Sequence, residues 1–147
     1  MEPHATALAD AVVTALPGWV ERSVARVLGA WQGDAADPAV LTRAREEGRR
    51  AAVEVGAAVR ALLEADIDEQ RTTPLSLLRS AVRYPTGVLQ EAGVPPVERD
   101  PFQVRLLPDD LYDLSPASFA DVDPALAEPG LVWGAAKALA HRRRHAP

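Results

Sequence analysis

The sequence contains no cysteine and has few aromatic residues and histidines. The absence of cysteine excludes disulfides, thiolate nucleophiles and cysteine-ligated zinc, and it leaves the redox compartment open. Aromatic residues make up only 5% of the chain, so alanine, valine and leucine must supply most of the core. Helices that pack such small side chains densely must approach one another closely. The three histidines, His4, His141 and His145, lie near the chain ends, where a rigid catalytic triad is not expected.

Long apolar runs and a basic leader are also absent. No run reaches the ~20 uninterrupted apolar residues of a membrane helix. Glu2 stands where a signal peptide needs basic residues, and Asp10 interrupts the first apolar stretch. We therefore expect a cytoplasmic protein with no membrane association. The formal net charge of −5 argues against general nucleic-acid binding, although the basic cluster at Arg142–Arg144 leaves this as a weaker alternative.

The composition is that of a soluble globular protein of one domain. The 147 residues are 48% hydrophobic and 25% charged, and they show no internal repeat and no alternating strand pattern. The predicted fold class is all-α. We expect residues 1–69 to form a helical platform within a single domain of residues 1–147. Residues 70–147 should form a proline-rich wrap of short helices, followed by a C-terminal helix and a basic tail.

The first predicted helix extends from Thr6 to Trp31. Apolar residues recur every four positions with one step of three, the spacing of an amphipathic helix. The predicted buried stripe is Leu8, Val12, Leu16, Val20, Val24, Val27 and Trp31. Pro17 lies in the middle, where its ring would clash with the carbonyl four residues earlier. Two short collinear helices or one kinked helix would both fit, and the unbroken phase favours the kink. Gly33 is predicted to be a left-handed cap.

A second, longer helix is predicted from Asp37, an N-cap residue, and Pro38, at the first helical position. Extended to about Asp68, it would be ~45 Å long. The small residues that recur along one side form the helix-packing groove: Ala44, Gly48, Ala52 and Gly56. This groove predicts the close approach of another backbone, either the first helix, docked antiparallel, or the same helix of a second subunit in a homodimer. The expected core is therefore a long antiparallel helical hairpin.

The other face of this second helix carries charges of both signs. We interpret it as a solvated face. Its residues are Arg43, Glu46, Glu47, Arg49, Arg50, Glu54 and Arg60.

Prolines are frequent in the second half of the chain, and eight of the 13 lie between Pro85 and Pro129. Capping residues precede several of them, which predicts the starts of short helices. These pairs are Thr73-Pro74, Asp100-Pro101, Ser115-Pro116 and Asp123-Pro124. Pro85 should push Tyr84 out of helical geometry and open a two-turn helix that Gly93 closes.

Asp109, Asp110 and Asp113 fall in the segment DDLYD, which matches the DDxxD spelling with which isoprenoid synthases hold magnesium. On a helix, Asp109 and Asp113 would share a face and could bind one divalent ion. The flanking prolines leave room for less than two turns, and no second acidic motif is present. The simpler interpretation is that Asp109 caps a short helix while Asp110 and Asp113 face solvent. We therefore predict no metal and no cofactor, and we keep the Asp109–Asp113 pair as the alternative.

Charge and aromatic residues in the second half of the chain predict a surface that binds a protein partner. Eight acidic residues lie between Glu98 and Glu128, against only Arg99 and Arg105. The predicted binding surface is Arg83, Tyr84, Asp109, Asp110, Tyr112, Asp113, Phe119 and Trp133. For the charge pattern itself, the favoured interpretation is that part of the basic tail folds back and pairs with these acids.

Three phrases of the second half, RYPTGVLQEAGVPP, PDDLYDLSPASFADVDPALAEPGL and WGAAKA, resemble a small actinobacterial family with no assigned activity. The resemblance implies a bacterial, cytosolic setting. The functional hypothesis is a non-enzymatic helical protein that interacts with a protein partner or with itself. The alternative is a small magnesium-assisted enzyme acting on a phosphorylated substrate, with Arg83 or Arg105 on the phosphate.

Overall fold

The computed structural model describes residues 3–33, 37–64, 73–97 and 110–131, and within these ranges the chain is helical, with turns and no strand. The predicted all-α class is confirmed. The α-helices are α1 (Pro3–Gln32), α2 (Pro38–Glu64), α3 (Pro74–Ser80), α4 (Arg83–Glu91) and α5 (Phe119–Val122). A 3-10 helix, Pro124–Leu126, follows α5, and residues 127–131 continue as α-helix. No helix in the described ranges is long and apolar enough to cross a membrane.

Helix α1 is a single helix that passes through Pro17, as its unbroken apolar phase predicts. It buries the predicted stripe of Leu8, Val12, Leu16, Val20 and Val24. The prediction fails at the end of the helix. Trp31 is 45% exposed and Leu28 is buried in its place. Trp31 lies in the last turn of α1, level with the start of α2, whose first residues are themselves exposed and give it no cover.

Helices α1 and α2 form the predicted antiparallel hairpin. Arg60 pairs with Asp10 at 2.6 Å, and Arg45 pairs with Glu21 at 3.0 Å, so the two helices run in opposite directions. Helix α1 fills the helix-packing groove. A Cβ added at Gly56 would lie 2.5 Å from Val13 Cγ2, and one added at Gly48 would meet the backbone of Pro17. The groove is thus occupied within one chain, and no second subunit is needed to cover it.

The predicted caps of the hairpin are confirmed. Asp37 Oδ1 accepts a hydrogen bond from Ala39 N at 2.9 Å at the start of α2. Gly33 has a φ of +78°, and its N–H donates to Gly29 O at 2.9 Å. Both caps depend on residues next to one another in the chain, and local sequence is therefore enough to predict them.

Helices α3 and α4 follow one another almost without a break, which corrects the prediction for Tyr84. Helix α4 begins at Arg83, so Tyr84 is helical, and the linking residues Ala81 and Val82 also have right-handed helical dihedrals. Pro85 is the third residue of α4, where a backbone N–H would have no intrahelical acceptor, so its ring removes no hydrogen bond. Gly93 follows α4 with a φ of +78°, as a left-handed cap should.

The chain after residue 110 packs onto the hairpin. Tyr112, Leu114, Val122 and Leu126 are buried in the same core as the apolar face of α1. Arg22 in α1 fixes this segment by donating to Val122 O at 2.8 Å. The wrap predicted from proline content is thus present in its described part.

Two of the predicted helix starts lie in the described chain after residue 110, and one of them is confirmed while the other is wrong. Asp123 accepts from Ala125 N at 2.9 Å and starts the 3-10 helix, as predicted. The Ser115-Pro116 start is wrong, because α5 begins at Phe119 with Ser118 as its N-cap. Ser118 forms a capping box with Asp121, and Ser115 has no acidic residue three positions later to form one.

Several predictions concern residues outside the described ranges. These are the end of the second helix at Asp68, the Asp100-Pro101 start, Asp109 and Arg105 of the metal and phosphate hypotheses, Trp133, and the basic tail at Arg142–Arg144.

Candidate functional site

A cleft of about 560 Å³ lies between helices α3 and α4 on one side and residues 110–115 on the other. We call it the α3–α4 cleft. The helical side contributes Ser76, Arg79, Ser80, Val82, Arg83, Thr86, Gly87 and Gln90, and the opposite wall contributes Asp110 and Ser115. Its volume is in the range of small-ligand sites in proteins.

The polar residues of the helical side recur at helical spacing. Arg79, Arg83, Thr86 and Gln90 follow one another at steps of four, three and four. Such steps place side chains on one face of a helix. Because Ala81 and Val82 keep helical dihedrals, the face continues from α3 into α4. This local geometry brings two guanidinium groups to a single wall of the cleft.

The two arginines of the cleft are held differently. Arg79 is half-buried, and its Nε donates to Pro116 O at 3.1 Å, which ties the opposite wall to α3. Arg83 is exposed. Its guanidinium lies 4.9 Å from the centroid of the Tyr84 ring, and its Nη2 donates to Tyr84 Oη at 2.9 Å. Neither arginine pairs with a carboxylate among the described residues, whereas Arg43, Arg45, Arg50 and Arg60 all do.

Asp110 forms part of the opposite wall, and its position corrects the prediction that it faces solvent. The residue is 7% exposed. Its Oδ1 accepts from Leu114 N at 2.8 Å and its Oδ2 from Ser115 N at 2.7 Å. The intervening residues turn the chain back, with Asp113 at a φ of +57°, so that the two amides meet the carboxylate. The carboxylate of Asp110 therefore holds a turn together.

The magnesium hypothesis finds no support in the described residues. They contain no group of three or more acidic or histidine side chains that could hold a metal ion. Asp113 lies in a second cavity of about 390 Å³, together with Arg22 and Arg26 of α1, and not in the α3–α4 cleft with Asp110. Arg26 donates to Asp113 O at 3.4 Å, a contact that fixes the turn.

The predicted exposed aromatic surface is largely wrong. Tyr84 and Tyr112 are each 3% exposed and belong to the core. Tyr112 donates from its hydroxyl to Val94 O at 2.8 Å, and burial raises the pKa of this hydroxyl. Phe119 is half-buried and covers Gly130, where an added Cβ would lie 2.5 Å from Phe119 Cδ2. Of the predicted surface residues that are described, only Arg83 and Asp113 are exposed.

Glu47 is a buried charge that the sequence did not reveal, because its neighbours predicted a solvated face. It is 7% exposed and lies between Arg43 at 2.8 Å and Arg50 at 3.4 Å. Helix α4 covers this turn of α2, with Arg43 Nε 3.3 Å from Glu91 Oε2 and Arg50 5.8 Å from the Tyr84 ring centroid.

This network raises the pKa of two of its arginines. The hydrogen bond to Glu91 and the charge of Glu47 raise the pKa of Arg43. The hydrogen bond and charge of Glu54, followed by the charge of Glu47, raise the pKa of Arg50. Arg43 contacts Glu91 and Arg50 lies over the Tyr84 ring, so the network links α4, and with it one side of the cleft, to the hairpin.

Sequence reasoning found Arg83 and Asp110 but missed the other residues that line the cleft. The four-residue step from Arg79 to Arg83 was a usable signal, because it places two cations on one face of the helix whose start Thr73-Pro74 predicts. It was obscured by the prediction that Pro85 breaks the helix before Tyr84. Nothing in the sequence marks Thr86.

Comparison of the chain with protein-family models, with curated proteins and with solved structures finds no match.

Proposed function

We propose that this chain is a non-enzymatic binding protein of the bacterial cytosol and that the α3–α4 cleft is the surface with which it engages a protein partner. The observation that carries the proposal is the pair Arg79 and Arg83, which line one wall of the cleft without a carboxylate partner among the described residues. Arginine is a frequent anchor of protein interfaces because its planar guanidinium can form several directed hydrogen bonds.

The surroundings of the cleft support a role in recognition. The formal charge of the whole chain is −5, so a wall with two guanidinium groups that pair with no carboxylate of the described residues departs from the overall charge of the protein. Arg43 and Arg50 of the α2 face already pair with Glu47 and Glu54, whereas an acidic group of a partner could bind the cleft arginines without displacing an ion pair of the described residues. Arg79 Nε donates to Pro116 O and so links the two walls of the cleft. A partner that binds the terminal nitrogens of Arg79 would therefore contact a side chain that is already held between them.

The proposal is tested by comparing proteins retained by three forms of the immobilised full chain: wild type, Arg83→Gln and Arg49→Gln. Arg49 is an exposed arginine of α2 that does not line the cleft, so it is the matched control for loss of one positive charge. We expect at least one protein that wild type and Arg49→Gln retain equally and that Arg83→Gln retains at least about fivefold less. If all three forms retain the same proteins to the same extent, the cleft is not the surface that binds the partner.

A further inference from the structure

The group that the cleft binds can be narrowed by counting its hydrogen-bond donors. Arg79 keeps its two terminal nitrogens beyond the bond that its Nε makes to Pro116. Arg83 shares only Nη2, with Tyr84 Oη. One arginine fork can satisfy a carboxylate by a bidentate pair. Two forks on one helical face offer more donors than a carboxylate uses and suit a tetrahedral oxyanion with three free oxygens.

Thr86 supplies an independent observation from the same wall. Its Oγ1 is buried and has no hydrogen-bond partner among the described residues. Thr86 lies three positions after Arg83, on the same face, and it lines the cleft. A buried hydroxyl without a partner is unfavourable in the free protein, and native structures retain few of them. Solvent does not reach Oγ1 in the free protein, so an acceptor in the cleft beside Arg83 would satisfy this hydroxyl once the Thr86 side chain rotates toward the cleft.

Resting on the proposed function, we propose that the α3–α4 cleft recognises a phosphate group, carried as a phosphomonoester on the partner protein. Arg79 and Arg83 bind the phosphate oxygens, and the Thr86 hydroxyl, after its side chain rotates toward the cleft, donates to one of them. The carboxylate of Asp110 lines the opposite wall and repels an anion, so the phosphate binds on the arginine side of the cleft. The amides of Leu114 and Ser115 already occupy its two oxygens and reduce its repulsion of an anion.

The test uses nuclear magnetic resonance titration of the ¹⁵N-labelled full chain at constant ionic strength with three probes. These are N-acetyl-phosphoserine amide, N-acetyl-glutamate amide and inorganic phosphate. We expect the phosphoserine probe to shift the amide signals of Arg79, Arg83 and Thr86 in a saturable way, and the glutamate probe to bind about tenfold more weakly or not at all. Equal binding of the glutamate probe would show a general carboxylate site and overturn the phosphate assignment.

The source of the phosphate is separated by the third probe. Inorganic phosphate that binds more tightly than the phosphoserine probe would indicate a free anion and overturn the assignment to a phosphorylated partner. No saturable shift in the cleft with any probe would overturn the site itself. The expected result is weaker binding of inorganic phosphate, because it lacks the flanking peptide groups.

Variants distinguish recognition from structural support. Thr86→Val, which replaces the hydroxyl by a methyl group, should weaken binding of the phosphoserine probe about fivefold while the free protein melts at an equal or higher temperature. Arg83→Gln should weaken binding at least about tenfold, and Arg49→Gln should leave it unchanged. Unchanged binding in Thr86→Val and Arg83→Gln would contradict the proposal.

Failure of this inference can be told from failure of the proposed function. If phosphatase treatment of the cell extract leaves an Arg83-dependent partner bound, the cleft engages a protein but not through a phosphate. If phosphatase treatment releases that partner, the phosphate assignment is supported. If no Arg83-dependent partner exists and the phosphoserine probe still binds, the site exists and the partner hypothesis fails.

Discussion

The backbone of Pro17 in α1 lies directly against Gly48 in α2, so close that a Cβ on Gly48 would be 2.9 Å from both the Cα and the carbonyl oxygen of Pro17. The contact is between two main chains, and neither can move aside as a flexible side chain could. It therefore limits how closely the two long helices can approach at this point.

Replacing Gly48 should show how much stability depends on this approach. Gly48→Ala would gain up to about 1 kcal/mol of helix propensity but must push Pro17 away, and overpacking of this kind costs about 1–3 kcal/mol. We expect a net loss in the free energy of unfolding, measured by urea denaturation, and a much larger loss for Gly48→Leu. Gly29→Ala in α1 is the control. Nothing lies within 4 Å of its added Cβ, so it should stabilise the protein. Equal stability of Gly48→Ala and Gly29→Ala would show that the helices can separate freely.

Glu47 gives a second prediction, about the network that fastens α4 to α2. Its carboxylate is buried between Arg43 and Arg50, and Glu47→Gln would leave both arginines without the charge that they share. We expect a clear fall in melting temperature. Glu46→Gln is the matched control, because Glu46 has a side chain 54% exposed and contacts Arg43 only at 3.6 Å. A smaller effect at Glu47 than at Glu46 would mean that the buried carboxylate does not hold the helices together.

The parts of the fold that were predictable from the sequence are those that neighbouring residues determine. Asp37 followed by Pro38 predicts a helix start, and Gly33 predicts a left-handed cap, because the atoms involved are a few bonds apart. The apolar stripe of α1 and the small-residue groove of α2 were predictable too, since helical periodicity places such residues on one face. Together these signals gave the all-α hairpin.

The candidate site was less predictable because it depends on contacts between distant segments. Glu47 has the same sequence context as its solvated neighbours and is buried only because α4 covers it. Asp110 looked like one of several exposed acids, and the turn that brings Leu114 and Ser115 to its carboxylate has no sequence signature that we used. Tyr84 was expected outside the helix because a residue before proline avoids helical dihedrals on average. Helical packing of α3 and α4 overrode that preference.

Thr86 offers a test of a buried hydroxyl that has no partner among the described residues. Thr86→Val keeps the shape and the β-branching of the side chain, so the main change is loss of the unpaired group. We expect the free energy of unfolding to rise by about 1 kcal/mol or more in the ligand-free protein. Thr14→Val is the control, because the exposed Thr14 hydroxyl donates to Asp10 O at 3.0 Å, and its loss should be neutral or slightly destabilising. A fall in stability for Thr86→Val would show that the hydroxyl is satisfied in solution.

Asp110 should be essential to the wall opposite the two arginines. Asp110→Ala removes both acceptors of the Leu114 and Ser115 amides, and buried donors left without partners cost about 1–3 kcal/mol each where water cannot reach them. Hydrogen exchange at these two amides should accelerate markedly, and urea stability should fall. Asp113→Asn is the control, since asparagine tolerates the φ of +57° at this position. Unchanged protection of both amides in Asp110→Ala would contradict the assigned bonds.

Tyr112 should make the stability of the protein sensitive to alkaline pH. Burial raises the pKa of its hydroxyl above the ordinary value of 10.0. Below pH 10.0 the folded and unfolded chains both hold the proton, so the contribution of Tyr112 is fully present. As the pH rises past that value, the unfolded chain loses its proton first, and the folded state is progressively disfavoured until the pH passes the folded-state pKa. The stability difference between wild type and Tyr112→Phe should therefore be about 1 kcal/mol near neutral pH, from the bond to Val94 O, and should shrink toward pH ~11. Urea denaturation across this range measures the difference, with tyrosinate absorbance following the titration. A difference that stays constant across the range would show that Tyr112 titrates normally, and hence that the segment carrying it does not bury the hydroxyl in solution.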